Sequence, residues 1–294
     1  MRFAATATGA GVPAEDFAGT VAQVYPRVCL LALSDQSLMT LAASTIGHLP
    51  RGITLDSSPE FLLHGHVETG AEFALRGGIL RFSRNALSVD LRGARRWRCD
   101  LAALRLDINR ARVVKAWQAA SAASCRDGRS NGLQETAGAA IEALTAATQD
   151  LAAAAAGEAV SALVGLGEGT TPAGDDFLVG YLAGLLCSAG VVAPRKNFAA
   201  ALCAEVKAAA TRTHRVSRLY LEAAAEGQIS ERLHALAACI AAGAAAETAA
   251  LATQAALTVG HSSGACGVFG LLTGCAAWSQ TRVARGLRPA RPAA

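Results

Sequence analysis

Twelve residues, Gly165-Leu-Gly-Glu-Gly-Thr-Thr-Pro-Ala-Gly-Asp-Asp, bring four glycines, two threonines and two adjacent aspartates together. Glycines at this density allow positive φ and let a backbone come close to a ligand. Thr171-Pro172 reads as an N-cap followed by a first-turn proline, so the loop is expected to feed a helix. A helix N-terminus offers unpaired N–H groups and partial positive charge to an anion. Asp175 and Asp176 then fall in the first turn. There they could hold a divalent cation or accept N–H bonds from an amide or carbamoyl group. A Gly-rich entry to a buried helix can serve packing alone, but this pattern is longer and chemically more mixed than packing requires, so a ligand site is expected.

A second stretch, Gly260-His-Ser-Ser-Gly-Ala-Cys-Gly-Val-Phe-Gly-Leu-Leu-Thr-Gly, echoes the first. Gly174, Gly180 and Gly184 match Gly264, Gly270 and Gly274, each at an offset of ninety residues. Both copies place hydroxyls before a glycine and then run into an apolar helix with small residues four apart, which lets two helix backbones come close. Two loop–helix units packed side by side are expected, with both N-termini on one cleft and His261 beside them. Between the two lies Thr211 to Gly227, the most cationic part of this region. Arg212, Arg215 and Arg218 recur at threes and read as one helical face, with His214 and Ser217 on the adjacent stripe. Arginine suits bidentate capture of carboxylate or phosphate; a solvent-facing stripe is the competing reading.

The elements that must carry these residues change character along the chain. Residues 1–20 are small and mixed, and read as a flexible start. Residues 21–100 read as a β-rich unit, with strands at Val24–Leu33, Leu38–Leu41, Gly52–Leu55, Gly70–Phe73, Ile79–Phe82 and Ala86–Leu91. His64-Gly-His66 would put two imidazoles on one strand face, but without an evident third ligand they read as surface histidines. Arg92 to Arg98 reads as a solvated turn into the next domain. Residues 101–281 read as a helical domain, with one helix from Leu101 to about Ala123 and another from Thr136 to Ala156 that ends at Gly157. Residues 282–294 form a basic, proline-bearing tail expected to be disordered. The expected class is therefore α+β: a small N-terminal β-rich unit followed by a larger, mostly helical domain carrying two Gly-rich loop–helix units.

Composition narrows the classes. Hydrophobic residues make up 52% and charged residues 17%, but much of the apolar content is alanine, which fits packed helices better than lipid contact. Phe177 to Ala193 approaches a membrane span in length, yet its three glycines and flanking acids favour a core helix. The N-terminus has no continuous apolar run, so no signal peptide is expected. Eight cysteines without a Cys-x-x-Cys point to a reducing cytoplasm rather than to a disulfide frame or zinc site. A net charge of +4 does not argue for nucleic acid.

With these segments in hand, the chain from about Val21 to Thr281 resembles the AllH family. Residues 165–180 resemble its Gly-Leu-Gly-x-Gly-x-Thr-Pro-x-Gly-Asp-Asp pattern, Thr211 to Gly227 its Thr-x-x-x-Ser segment, and Gly260-His-Ser-Ser-Gly its second loop. The family often carries an aspartate where this chain has Cys266. The resemblance implies a subunit of an oxamate carbamoyltransferase in allantoin breakdown, acting on carbamoyl phosphate or an oxamate-like anion, with partner subunits or as a homo-oligomer. On that footing Gly167, Gly169, Thr170 and Thr171 are expected to cradle the anion, with Gly174, Thr211, Arg215, Ser217, Ser262, Ser263 and Gly264 also contacting substrate. Asp175 and Asp176 would orient the carbamoyl or amide nitrogen, or hold Mg²⁺. His261 would carry a proton. A non-catalytic assembly or ligand-binding subunit and an independent Mg²⁺-dependent hydrolase or phosphotransferase stay open beside this reading.

Overall fold

The computed structural model describes residues 1–84, 87–127, 132–260 and 262–279. It divides into two compact units, one of residues 1–99 with 228–232, the other of residues 100–227 with the chain from 233 onward.

The first unit is a nine-stranded, barrel-like sheet: β1 (Arg2–Gly9), β2 (Ala18–Val24), β3 (Val28–Leu33), β4 (Leu38–Ala42), β5 (Gly52–Leu55), β6 (Glu72–Arg76), β7 (Ile79–Phe82), β8 (Ser88–Asp90) and β9 (Arg95–Trp97). Their order is β5-β4-β3-β2-β6-β7-β8-β1-β9, and β1 also pairs with β5. One strand thus closes the ring. Arg2 to Ala4 run parallel to β8, while Ala5 to Thr8 pair antiparallel with β5. The first twenty residues are therefore not a loose start: β1 buries Ala5 and Ala7 inside the sheet. Arg95 to Trp97, expected as a solvated turn, form β9 beside the second half of β1, and Trp97 is buried. The interior is filled by alternate side chains such as Leu31, Leu41, Ile53, Leu55 and Leu80. Each contributes roughly 1.5–3 kcal/mol when fully buried. His64-Gly-His66 lies not on a strand but at a single 3₁₀ turn, Leu63–Gly65, and the His66 ring stacks on Phe61.

Residues 228–232 belong to this unit through polar contacts. The Gln228 side chain accepts from Cys99 N–H at 3.2 Å and donates to Cys99 C=O at 3.0 Å. Glu231 N–H donates to His48 C=O at 2.8 Å, and the Glu231 carboxylate accepts from His48 N–H at 3.0 Å. Arg95 donates to His48 Nε2 at 2.6 Å, which fixes the His48 proton on Nδ1, facing Thr54 Oγ1. Burial, aided by Arg95 and opposed by Glu231, holds the His48 pKa below its ordinary value.

The second unit is helical: α1 (Ala111–Arg126), α2 (Leu133–Gln149), α3 (Ala153–Leu163), α4 (Ala173–Ser188), α5 (Ala193–Ala209), α6 (Arg215–Ala225), α7 (Glu231–Ala242), α8 (Ala246–Leu257) and α9 (Ser263–Ala276). The helix expected from Leu101 starts only at Ala111, after a 3₁₀ turn and a left-handed Arg105. The helix expected to end at Gly157 is two helices, broken at Leu151 (φ 55°). Gly157 lies inside α3, where an added Cβ would meet the Glu205 side chain at 3.1 Å.

α4 and α9 form the core of this unit. Both are apolar nearly all round, as buried helices are. They run parallel and touch backbone to backbone. A Cβ on Gly180 would sit 2.0 Å from Gly267 O, and one on Gly270 would sit 2.0 Å from Phe177 O. The pair is thus held at a separation that no larger residue permits at these positions. Trp117 Nε1 donates to Leu272 C=O at 2.9 Å, and Tyr181 shares a 2.7 Å hydrogen bond with Thr148, which ties α1 and α2 to the pair. Among the described residues no helix is long and apolar enough to cross a membrane. The tail from 282 lies outside the described residues.

Candidate functional site

Because α4 and α9 are parallel, both N-termini lie at one end of the pair. Thr171 Oγ1 and Ser263 Oγ are 2.9 Å apart, although ninety-two positions separate them in sequence. The expected pairing of the two loop–helix units is met here. α6 joins them through its first turn.

Asp175 makes that junction. It is fully buried. Its Oδ1 accepts from Gly165 N–H at 2.8 Å, and its Oδ2 accepts from Thr213 Oγ1 at 2.5 Å and Ser217 Oγ at 2.6 Å. One carboxylate thereby ties the Gly loop, the start of α4 and the start of α6 together. Charge-assisted bonds of this length are the stronger kind, and they compensate for burying the charge. Thr213 was not singled out by sequence. The signal was present as hydroxyls four residues apart, at 213 and 217, straddling a helix start.

Asp176 differs in every respect. Its Oδ2 is buried and has no hydrogen-bond partner. Burial pushes its pKa up to about 7; the hydroxyls of Ser263 and Thr171 pull it partly back, and the charge of Asp175 adds to the rise. A carboxyl group in this state exchanges a proton near neutral pH, as a general acid or base must.

The loop supplies backbone donors in a way the sequence did not indicate. The start of α4 is not open. Gly174 N–H donates to Leu166 C=O at 2.9 Å, and the N–H groups of Asp175 and Asp176 both donate to Pro172 C=O. Pro172 occupies the N-cap position and no side chain caps the helix. Thr171, expected as that cap, turns to Ser263 because the proline carbonyl and the Leu166 carbonyl already use the first-turn donors. The loop itself is exposed. It is bent by Gly165, Gly167 and Gly169 at φ 77°, 113° and 88°, which only glycine adopts readily. Among the described residues, the N–H groups of Gly167 to Thr171 make no hydrogen bond.

The remaining expected residues fall at different places. Gly264, one residue into α9, packs against the Ala256 and Leu257 carbonyls, where a Cβ would come within 2.5 Å. Ser262 sits at the α9 N-cap position. Arg215 opens α6 between Thr213 and Ser217, and is exposed. Thr211 donates instead to Ala208 C=O in the turn ending α5. The arginine stripe is broken: Arg212 lies in a 3₁₀ turn and donates to Ser161 C=O, extended Thr213 follows, and Arg218 pairs with Glu222 at 2.7 Å. Cys266 is fully buried in α9. His261 lies outside the described residues.

A Mg²⁺ ion bridging the two aspartates does not fit this arrangement. Both oxygens of Asp175 are already committed to protein donors. Among the described residues no group of three or more His, Cys, Asp or Glu could hold a metal ion.

Residues 163–275, which contain the loop, Asp175, Asp176, Thr213, Ser217 and Ser263, match the family model described as oxamate carbamoyltransferase subunit AllH. Residues 5–96, which contain most of β1 and the strands β2 to β8, match the model of the AllH family N-terminal domain. No curated protein and no solved structure matches the chain. Across both of its units, the chain belongs to the AllH family.

Proposed function

We propose that this chain is a carbamoyltransferase component that binds a small carbamoyl or amide-bearing anion where the N-termini of α4 and α9 meet. The observation that carries this reading is the unequal aspartate pair: Asp175 bonded through both oxygens to three donors, Asp176 beside it with a buried oxygen that has none. Asp175 is then a positioning residue. Asp176 faces the reacting nitrogen. In the transfer from carbamoyl phosphate to an amide such as oxamate, the amide nitrogen attacks the carbamoyl carbon. The C–N bond forms, the C–O bond to phosphate breaks, phosphate leaves with the electron pair, and Asp176 takes the nitrogen's proton. N–H groups of Gly167 to Thr171 stabilise the oxygen that gains charge, a term worth about 3–4 kcal/mol per donor in known cases. The family description names a subunit, so partner subunits belong to the working enzyme.

Titration of the full chain with carbamoyl phosphate, oxamate and phosphate, with and without Mg²⁺, tests this. Wild type is expected to bind carbamoyl phosphate and oxamate, Asp176→Asn to bind these two N–H-bearing anions at least about tenfold more weakly with no such loss for phosphate, and Mg²⁺ to change neither. An unaltered affinity in Asp176→Asn would remove the assignment. A second reading, a loop that completes a partner's site, draws on the exposed and unbonded loop N–H groups. Copurification with a partner, without ligand binding by the chain alone, would favour it.

A further inference from the structure

Resting on that reading, we propose that Asp176 is the specificity-determining residue of the site, selecting anions that bring an N–H donor over isosteric anions that bring only acceptors or apolar groups. At the junction one buried side-chain oxygen, Asp176 Oδ2, has no hydrogen-bond partner. Both oxygens of Asp175 already accept from the protein, three hydrogen bonds in all. The Thr171 and Ser263 hydroxyls share one hydrogen bond with each other and also act on the Asp176 carboxyl, yet neither reaches its Oδ2. What is left is Asp176 Oδ2, buried and without a donor. A buried acceptor without a donor is unfavourable, and a ligand N–H relieves it. A ligand oxygen placed there meets a second acceptor and a like charge. A site built around one unmet hydrogen bond rejects the analogue that cannot make it far more strongly than one built on shape.

Three anions of nearly the same shape separate the effects. Oxamate carries –NH₂ where oxalate carries –O⁻ and pyruvate carries –CH₃. All three keep the planar carboxylate and the adjacent carbonyl. Binding to the full chain at pH 8 is expected in the order oxamate, pyruvate, oxalate, with at least about tenfold between the first and second. Pyruvate has the charge of oxamate, so that gap reports the donor and not the charge. In Asp176→Asn, whose amide can turn either a donor or an acceptor to the ligand, the spread is expected to collapse to about threefold or less.

A pH series on wild type gives a check that needs no variant. Asp175 is the charged neighbour that acts on Asp176; the loop and α9 bring the Thr171 and Ser263 hydroxyls. Once protonated, Asp176 is itself a donor, so oxalate is expected to gain on pyruvate at least about threefold from pH 8 to pH 6. Equal binding of the three by wild type, or the full spread retained in Asp176→Asn, would overturn the inference while leaving an anion site. If none of the three binds, the anion reading falls and takes the inference with it.

Discussion

Two neighbouring aspartates of one helical turn end in opposite chemical states because of what lies one hydrogen bond away. Asp175 draws three donors from two chain segments, whereas Asp176 has a buried oxygen that draws none. The difference has a sign that stability measurements can read. Burial raises Asp176 from 3.8 to about 7, so between those values the folded chain holds a proton that the unfolded chain has lost. The contribution of this carboxyl to stability therefore falls as pH rises from about 4 to 7 and levels off above. Urea unfolding of wild type and Asp176→Asn is expected to give equal stabilities near pH 4. At pH 8 the variant is expected to be the more stable by roughly 1–3 kcal/mol. A difference that is the same at both pH values would mean that the carboxyl is not buried in the charged state. Sequence displayed the pair as equals, since identical side chains side by side in a first turn carry no mark of which will be satisfied. The donors to Asp175 come from residues 165, 213 and 217, and their convergence is a property of the fold.

At the scale of elements, the contact between α4 and α9 is set by glycine. Gly180→Ala would drive a methyl group to within 2.0 Å of Gly267 O, so the helices must separate. Such overpacking, here against backbone that has no rotamer to adopt, is expected to cost about 3 kcal/mol or more. Gly138→Ala in α2 is the matched control. Its Cβ meets nothing within 4 Å, and alanine propensity is expected to stabilise by up to about 1 kcal/mol. Thermal melts of the two variants should move in opposite directions; a Gly180→Ala protein as stable as wild type would contradict the close contact. This part of the structure was legible. The ninety-residue echo of glycines and the expectation of paired loop–helix units follow from spacing alone. The break between α2 and α3 was not, because Leu151 adopts a left-handed conformation with neither glycine nor proline to announce it. β9 was hidden for a related reason: arginine-rich edge strands look like solvated turns when only their outward side chains are counted.

For the whole molecule, the chain leaves the barrel at Cys99, builds most of the helical unit, and returns for residues 228–232 before going back. The returning segment buries Ile229 and is also held by polar contacts. Gln228 alone exchanges two hydrogen bonds with the Cys99 backbone, and Ile229 N–H donates to Cys99 Sγ at 3.2 Å. Gln228→Ala is expected to raise amide exchange at Cys99 and Ile229 by roughly tenfold or more, while the strands β3 and β4 keep their protection. Exchange unchanged at those two amides would mean the segment is anchored elsewhere. No composition or period signals such a return, so the five-residue excursion was not readable. Time enters through the parallel pairing of α4 with α9. The partner that covers the glycine face of α4 begins at Ser263, so during synthesis that face waits for about ninety further residues. At cellular elongation rates this is on the order of ten seconds. Throughout that interval the emerging chain presents an apolar helix with its backbone bare along one side. The stretch that carries the chemistry is thus among the last to be shielded, and a chain cut short of Ser263 would be left with a surface for chaperones or proteases to find.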